Sequence, residues 1–376
     1  MIQMKKRVFV GLSGGVDSSV SAALLKQATP NNYKQLFGRP TPKGFRGFDV
    51  VGVFIKVWQP DFIECAWREE RRDAMRVCAK LDIPFLTFDL EKVYKKEVAD
   101  YMISEYKAGR TPNPDVMCNK EVKFGAFLKK ALSMGADFVA TGHYAQNKNL
   151  SLIKGVDPTK DQSYFLWTLK QNQLKHIIFP VGHLKKSQVR KLAEKYGLHT
   201  FQKKDSQGIC FLGKLDMKEF LQHYIKPKSG RVLDINGKTI GKHNGATFLT
   251  LGERHGFTIT SKTNHDQPYY VVGKDIKKNN ITVSQDSNSR AAPVRSFSEG
   301  GNRRIDLEDI NWILKPDSKK TYQCQIRYHG EFLLCNITTG KKNTAIIEFK
   351  QSQLVSPGQS VVVYDGKICL GGGVVK

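Results

Sequence analysis

The sequence predicts an α/β protein with a parallel-sheet domain first, a small central domain next and a C-terminal β-barrel last. Over roughly the first 140 residues, apolar strand-like runs alternate with amphipathic helical patterns, which is typical of a parallel sheet covered by helices on both faces. The pattern changes after about Leu212. Over roughly the last hundred residues the runs are short, strand-like and separated by turns, which favours a small barrel.

The elements of the first domain follow in order from the apolar patterns. Strands are predicted at Val8–Leu12, Val50–Val57, Ile83–Leu90 and Asp137–Thr141, and helices at Val20–Gln27, Glu69–Leu81, Val93–Lys107, Val122–Met134 and Lys186–Tyr196. Gly197 is the expected C-cap of the last helix. Ligands of such a sheet bind at the carboxyl ends of its strands. We therefore expect the loop after Leu12, the loop that begins at Thr141 and the segment after Val57 to lie at one edge.

Thr29–Phe48 interrupts this order. The segment contains Asn31-Asn32 and a Gly-Phe-Arg-Gly run, and it has no clear periodicity. Such a composition predicts an inserted, basic and partly flexible loop.

The rest of the chain divides into two smaller units. A short helix is expected at Met217–Tyr224, followed by a linker at Pro227–Gly230. Strands are predicted at Tyr322–Tyr328, Glu331–Thr338, Thr344–Phe349, Ser360–Tyr364 and Lys367–Leu370. Asp365-Gly366 is typical of a two-residue hairpin turn. The domains are accordingly predicted at 1–212, 213–285 and 286–376.

A loop rich in glycine and hydroxyl groups, Ser13–Ser19, lies between the first predicted strand and helix. Glycines let backbone N–H groups approach an anion closely, and the N-terminus of the helix adds a partial positive charge. Gly-Gly and Asp-Ser pairs also form ordinary capped turns, but their position here favours a nucleotide site. The Gly-x-x-x-x-Gly-Lys-Ser/Thr pattern of kinase-type phosphate loops is absent.

The charge balance favours a polyanionic partner. The 376 residues contain 60 Lys and Arg against 35 Asp and Glu, a formal net charge of +25. Charge alone leaves open that the lysines merely solvate the surface.

No stretch approaches the ~20 apolar residues of a membrane helix, and the residues before the first strand are too few for a signal peptide. We expect a soluble, cytoplasmic protein with no membrane partner.

Two of the seven cysteines lie in settings that indicate chemistry. No Cys-x-x-Cys pair occurs, so neither a disulfide scaffold nor a tightly bound metal is expected. Cys118 follows a loop with two prolines, which predicts rigid non-helical structure ahead of the Val122 helix. Lys120 and Arg110 nearby predict a lowered pKa for this thiol, and Asp115 could accept or donate a proton. Cys210 lies in a second basic loop, although small buried cysteines are the commoner case.

Six segments, in this order, resemble the tRNA-specific 2-thiouridylases over nearly the whole chain. The segments are Ser13–Ser19, Gly109–Lys123, Thr141–Tyr144, Lys160–Leu166, the Cys210 loop and Leu370–Gly373. These enzymes are ATP pyrophosphatases of the PP-loop type, with an adenine-nucleotide alpha-hydrolase-like catalytic domain, and they convert U34 of certain tRNAs to 2-thiouridine. The resemblance implies ATP with Mg²⁺, the tRNA anticodon stem-loop, and a cysteine desulfurase or sulfur-relay protein as donor.

The resemblance also implies a role for particular residues. Cys118 is the implied nucleophile, Cys210 the persulfide carrier that forms a transient disulfide with it, and Asp115 the acid/base. The implied ATP-binding residues are Gly11, Leu12, Ser13, Gly14, Gly15, Val16, Asp17, Ser18, Ile55 and Gly142. The implied contacts to the target base are Asn113, Pro114 and Asp115, and those to the rest of the tRNA are His143, Lys160, Asp161, Gln162, Arg327, Tyr328 and Gln359.

The sequence departs from the family's pattern, and alternatives remain. The Thr29–Phe48 insertion, Glu253 and His255 in the central domain, and Gln207 before the second cysteine are unusual for the family. On the residues alone, Lys160-Asp161-Gln162 could be a solvated loop, Arg327-Tyr328 a surface pair on a barrel strand, and the terminal glycines a turn. A small-molecule adenylating ligase or amidotransferase, such as an argininosuccinate or GMP synthetase, and a non-catalytic tRNA-binding protein are the competing functions.

Overall fold

The structure is a computed structural model that describes residues 5–37, 40–62, 67–204, 208, 210–213, 216–260, 267–285, 303–340 and 343–376. The described residues form these strands: β1 (Lys6–Leu12), β2 (Phe48–Lys56), β3 (Phe85–Asp89), β4 (Phe138–Ala140), β5 (Ala145–Lys148), β6 (Ser151–Lys154), β7 (Ile177–Ile178), β8 (Gly230–Leu233), β9 (Thr239–His243), β10 (Phe257–Ile259), β11 (Tyr270–Asp275), β12 (Asn280–Ser284), β13 (Arg304–Trp312), β14 (Tyr322–Gln325), β15 (Leu333–Thr339), β16 (Ala345–Phe349), β17 (Ser360–Asp365) and β18 (Ile368–Val375).

The helices lie mainly in the first half of the chain. The α-helices are α1 (Val16–Lys26), α2 (Tyr33–Phe37), α3 (Trp67–Leu81), α4 (Glu91–Tyr94), α5 (Tyr101–Lys107), α6 (Pro114–Met117), α7 (Leu128–Ser133), α8 (Gln171–Leu174), α9 (Lys186–Lys195) and α10 (Met217–Gln222). Two π-helical segments, Lys95–Asp100 and Cys118–Phe127, join α4 to α5 and α6 to α7. Short 3₁₀ turns lie at Ser163–Leu166, His199–Gln202 and Ala246–Phe248. No helix of the described residues has the length and apolarity needed to cross a membrane.

The first domain is built on the predicted parallel sheet. Its strand order is β3-β2-β1-β4-β7, and every neighbouring pair is parallel. Chain order reverses between β1 and β4, so the loops after these two strands open into one crevice. The Ser13 loop and the Thr141-Gly142-His143 segment follow β1 and β4 directly. The predicted fold class is confirmed for this domain.

The barrel is closed and is also attached to the first domain. Strands β13, β16, β15, β14, β17 and β18 form the ring, which the β13–β18 pairing closes. The hairpin β5–β6 of the first domain extends this sheet, because Ile153 and Leu152 pair with Ile368 and Cys369. The central part forms a separate sheet of order β10-β9-β8-β12-β11. The sequence predicted the barrel but not the hairpin that joins it.

The prediction of a partly flexible insertion was wrong for much of Thr29–Phe48. Tyr33, Phe37 and Phe45 are buried with Phe48 in an aromatic cluster, and the Tyr33 and Phe45 ring centroids lie 4.6 Å apart. α2 also falls in this segment. These apolar side chains have no helical or strand period, yet they contribute area to the core beneath β1 and β2.

Two local predictions also need correction, and one alternative reading of the sequence does not hold. The segment around Cys118 is helical. Pro114 is the first residue of α6, a position whose backbone N–H has no partner within the helix, so proline is tolerated there. Asn113 Oδ1 caps this helix by accepting from Val116 N at 3.1 Å. The terminal glycines lie within β18, not in a turn: a Cβ on Gly371 would approach the Asn311 carbonyl oxygen to 2.0 Å. The last hairpin exists, but its turn is one residue later than predicted, because Asp365 pairs with Ile368.

Candidate active site

The loop after β1 leaves a helix N-terminus open for an anion. Gly15 precedes α1 and provides no side-chain cap for it. The hydroxyls of the loop instead bond within it: Ser18 Oγ donates to the Gly15 carbonyl at 3.1 Å and accepts from Ser13 N at 3.2 Å. Gly14 has φ +71°, and a Cβ there would be 2.5 Å from the Glu70 carbonyl oxygen. This arrangement holds the open N–H groups of α1 in place for a phosphate.

Asp17, in the first turn of α1, is held from two sides. Lys186 Nζ donates to its two carboxylate oxygens at 2.7 and 2.8 Å, and Tyr144 Oη donates to one of them at 2.7 Å. Lys186 begins α9, and its side chain is only 12% exposed. Lys186 and Tyr144 were not among the predicted site residues. Their partner lies about 130 to 170 residues away in sequence, so no local pattern could reveal the contact.

The other predicted nucleotide residues lie at the same edge. Ile55, near the end of β2, is buried, and its Cδ1 would be 3.8 Å from a Cβ on Gly11. Gly142 follows β4 and packs against the loop so closely that a Cβ would be 2.7 Å from Ser18 N. The structure therefore brings Gly11, Leu12, Ser13, Gly14, Gly15, Val16, Asp17, Ser18, Ile55 and Gly142 to one crevice. Their role in binding ATP stays a prediction.

The two cysteines singled out in the sequence meet in space. Cys118 Sγ lies 3.4 Å from Cys210 Sγ, although the residues are 92 positions apart. The Cys210 backbone is held by two side chains: its N–H donates to Asp115 Oδ1 at 2.8 Å, and its carbonyl accepts from Tyr94 Oη at 2.8 Å. Phe211 follows in the left-handed region with φ +67°. The sulfurs are separate thiols in close contact, a geometry suited to thiol–disulfide exchange.

The predicted lowering of the Cys118 pKa was wrong. Burial raises the pKa of Cys118 well above its usual value, because the side chain is fully buried in the protein core. The pKa of Cys210 is lowered instead, by the hydrogen bond from the Cys118 thiol and by the positive charge of Lys123. The more ionisable sulfur therefore belongs to the partly exposed Cys210.

The basic residue beside Cys118 and Cys210 also differs from Lys120 and Arg110, the two that the sequence suggested. Lys120 is 46% exposed and pairs with Glu121, and Arg110 pairs with Glu105 and Glu308. Lys123 faces Cys118, Cys210 and Asp115 instead. Burial raises the pKa of the Asp115 carboxyl, so this group can hold a proton at a higher pH than an ordinary aspartate.

Aromatic side chains from two domains lie beside the cysteines. The Tyr328 ring packs on Phe165 at 4.3 Å between centroids and on Tyr164 at 6.1 Å. Tyr164 is buried and donates to the Ser360 carbonyl at 2.9 Å. Burial, together with the nearby charges of Asp161 and Asp115, raises the pKa of Tyr328 to about 12. Arg327 and Tyr328 lie in the turn after β14, not on a strand as predicted, and this turn brings the barrel to the Asp115 site.

Several predicted tRNA-contact side chains point into the protein. Asp161 Oδ1 accepts from the N–H groups of Gly155 and Ser163, and Gln162 Oε1 accepts from Tyr144 N at 3.0 Å. His143 is buried, its Nδ1 lies 2.7 Å from Thr141 Oγ1, and burial holds its pKa well below the usual range. These bonds fix the loop segments around Tyr144, whose hydroxyl donates to Asp17. Contact of these residues with tRNA stays a prediction.

The remaining predicted tRNA residues lie nearer the surface. Lys160 is partly buried and Arg327 is exposed. Gln359 Oε1 accepts from Ser356 N at 3.2 Å in a barrel loop that docks beside Thr111, two residues before Asn113. Gln207 lies outside the described residues.

The donor set of the crevice fits a nucleotide-borne metal better than a protein-held one. Among the described residues, no group of three or more His, Cys, Asp or Glu side chains could hold a metal ion. Asp17 is the carboxylate at the open N-terminus of α1, and it is 30% exposed. A carboxylate beside a phosphate cradle suits an ion that arrives with a nucleotide's phosphates.

The parallel sheet, with an open helix N-terminus at its switch point, defines a Rossmann-like α/β domain, here joined to a central domain and a closed barrel. Three family models match in chain order: the tRNA methyl transferase HUP domain at residues 6–38 and 44–214, the tRNA methyl transferase PRC-barrel domain at 218–285, and the aminomethyltransferase beta-barrel domain at 302–375. The tRNA-specific 2-thiouridylase MnmA of Halalkalibacterium halodurans is 43% identical over 98% of this chain and 94% of its own. That of Shouchella clausii is 43% identical over 99% and 98%. The chain belongs to the tRNA-specific 2-thiouridylase family.

Similarity to solved structures is weaker. The U34-tRNA thiolase NcsA from Methanococcus maripaludis aligns with a TM-score of 0.34 at 19% identity, covering 60% of this chain and 69% of that chain.

Proposed function

We propose that this protein uses ATP to convert uridine 34 of tRNA to 2-thiouridine. The observation that supports this proposal most directly is the contact of Cys118 Sγ with Cys210 Sγ at 3.4 Å. The relatives that match nearly the full length of this chain are named tRNA-specific 2-thiouridylases. Sulfur transfer between two thiols requires this proximity. The proposed domains are 1–212 for catalysis, 213–285 as the central tRNA-binding domain and 286–376 as the barrel, and the proposed compartment is the cytoplasm, where thiols stay reduced.

The first step proposed is adenylation of the target base. The C2 oxygen of uridine is a poor leaving group, and transfer of AMP to it makes it a good one. The open N–H groups of α1 and the Lys186 ammonium would hold the departing pyrophosphate. Mg²⁺, held by Asp17 together with the phosphates, would neutralise charge on them. Ile55 and Gly142 would lie against the adenosine.

The second step proposed is sulfur transfer. A persulfide on Cys210 carries the outer sulfur. Cys118 gives its proton to Asp115, and its sulfur then attacks the inner sulfur of Cys210. The S–S bond of the persulfide breaks, its electron pair leaves with the outer sulfur, and a Cys118–Cys210 disulfide forms. The released sulfur attacks C2, and AMP departs with the former C2 oxygen. Asp115, whose raised pKa suits proton exchange, is the proposed acid/base.

The proposed substrate is the anticodon stem-loop, where U34 is single-stranded. A base must leave its stack to reach Cys118, which costs less in a loop than in a duplex. Asn113, Pro114 and Asp115 would surround it, with Tyr328 and Phe165 as aromatic neighbours. The net charge of +25 suits the phosphate backbone. A cysteine desulfurase or sulfur-relay protein would supply the persulfide sulfur.

A small-molecule adenylating ligase is not favoured. Such an enzyme would share the phosphate loop, but its reaction does not require two cysteines in contact, as Cys118 and Cys210 are here although they lie 92 positions apart in the sequence. Pyrophosphate release that ignores added tRNA would favour it.

Purified protein with tRNA, ATP, Mg²⁺ and a persulfide donor tests the proposal. We expect mass spectrometry of digested tRNA to find 2-thiouridine at position 34. Cys118→Ser and Cys210→Ser should each lower its formation at least about a hundredfold, as loss of a nucleophile does, while tRNA binding persists. Cys78→Ala, in a separate core cluster, is the matched control and should stay active.

Two results would contradict these expectations. Absence of 2-thiouridine with the wild-type protein would refute the function. Normal turnover by either serine variant would refute the two-cysteine mechanism while leaving adenylation open.

A further inference from the structure

Lys123 lies beside the two sulfur atoms because its helix is wound more widely than an α-helix. It follows Cys118 by five residues within the π-helical segment Cys118–Phe127, whose backbone bonds run from i to i+5. In an α-helix, a side chain five positions on would point about 140° away. The wider turn brings it back towards the face of Cys118. Gly125 permits this winding, since a Cβ there would be 2.8 Å from the Lys120 carbonyl oxygen.

The Lys123 ammonium faces the reacting sulfurs directly. Its positive charge lowers the pKa of Cys210, Cys118 and Asp115. Its Nζ also lies 5.4 Å from the centroid of the Phe211 ring, the residue after Cys210. The π-helical winding and the contact with Phe211 therefore place the Lys123 ammonium beside Cys210.

We propose that Lys123 is a catalytic residue that acts as counter-ion to a sulfur anion at Cys210. The inference rests on the proposed function. The Cys210 thiolate attacks the outer sulfur of a protein persulfide, so a Cys210 S–S bond forms and the donor's S–S bond breaks. The donor cysteine leaves as a thiolate with the electron pair, and no oxidant or reductant is consumed. Lys123 then pairs with the persulfide left on Cys210.

The charges around Cys210 favour an anion on its sulfur. A charge in a largely enclosed site must be paired, and five titratable groups face Cys210 or its cation: Cys118, Asp115, Lys123, Tyr94 and His143. Burial raises the pKa of Cys118 and Tyr94 well above their usual values and lowers that of His143, so these three groups favour their neutral forms. Burial also raises the pKa of Asp115, whose carboxylate charge raises the pKa of Cys210. Lys123 keeps a raised pKa because the neighbouring sulfurs favour its charged form, despite burial. The anion that it accommodates most readily is the sulfur of Cys210.

The test is the pH dependence of Cys210 alkylation in the full-length protein, read on the peptide that contains it. In the wild type we expect a midpoint below the value of a free cysteine, about 8.5. Lys123→Met should raise the midpoint by at least about one unit, which is about tenfold slower labelling at neutral pH. Lys123→Arg should keep most of the shift. Lys120→Met, on the same segment but paired with Glu121, is the matched control.

A substitution that is expected to shift the Cys210 midpoint in the opposite direction distinguishes an electrostatic effect from a general disturbance of the fold. Asp115→Asn removes a charge that raises the pKa of Cys210, so its midpoint should fall. An unshifted midpoint in folded Lys123→Met protein would overturn the proposal. If that variant fails to fold, a wild-type midpoint at or above that of free cysteine would overturn it equally. No arm uses tRNA or ATP, so failure here is distinguishable from failure of the proposed function.

Discussion

At the scale of single residues, the Lys186–Asp17 contact sets the charge of the phosphate cradle. Without the ammonium, the Tyr144 hydroxyl would still donate to Asp17, but no positive charge from Lys186 would balance the carboxylate, which would repel the phosphates of ATP. We expect Lys186→Met to slow pyrophosphate release from ATP at least tenfold, about 1.4 kcal/mol of transition-state stabilisation. Lys191→Met, exposed on the same helix, is the control. Equal pyrophosphate release by both variants would refute this role.

Sequence reasoning found the residues whose chemistry is visible locally, and it missed those that depend on packing. Cys118, Cys210 and Asp115 were found because thiols and a carboxylate in basic loops are unusual. The lowered pKa predicted for Cys118 was wrong, because the side chain is fully buried and burial raises its pKa. Lys123 was missed because only π-helical winding brings it to the cysteines.

At the scale of elements, the glycines of β18 allow the barrel to close. Gly371 has φ +125°, and a Cβ there would meet the Asn311 carbonyl oxygen at 2.0 Å. We expect Gly371→Ala to lower the free energy of unfolding by about 2–4 kcal/mol, from backbone strain and overpacking. Gly366→Ala, also at positive φ but with open space around it, should cost only about 1–2 kcal/mol. Urea unfolding measures both, and equal losses would contradict a packing cause.

Regular periodicity made most elements predictable. Four of the five strands of the parallel sheet, all except β7, and the helices α1, α3 and α9 were confirmed to within a few residues. The buried aromatic residues of the insertion and the β5–β6 hairpin were not predicted. Their partners are residues of β1, β2 and β18, distant in sequence, and a periodicity argument contains no information about such pairs.

At the scale of the whole molecule, three domains meet at the loop just before Asn113. Arg110 donates to Glu105 of its own domain and to Glu308 of the barrel, both at 2.7 Å. Thr111 N donates to the Pro357 carbonyl of the barrel at 2.7 Å, and Thr111 Oγ1 lies 3.4 Å from Thr250 Oγ1 of the central domain. The helix that contains Cys118 therefore starts from a point fixed by all three domains.

This junction predicts that barrel docking and catalysis are linked. Arg110→Met leaves two partly buried carboxylates unpaired, so we expect a loss of roughly 1–3 kcal/mol in unfolding free energy. Because the loop leads into α6, thiolation should slow more than pyrophosphate release does, since the cysteines depend on that helix and the phosphate cradle does not. Lys107→Met, exposed at the end of α5, is the matched control. Equal slowing of both reactions would mean that Arg110 supports the fold in general rather than the position of Cys118.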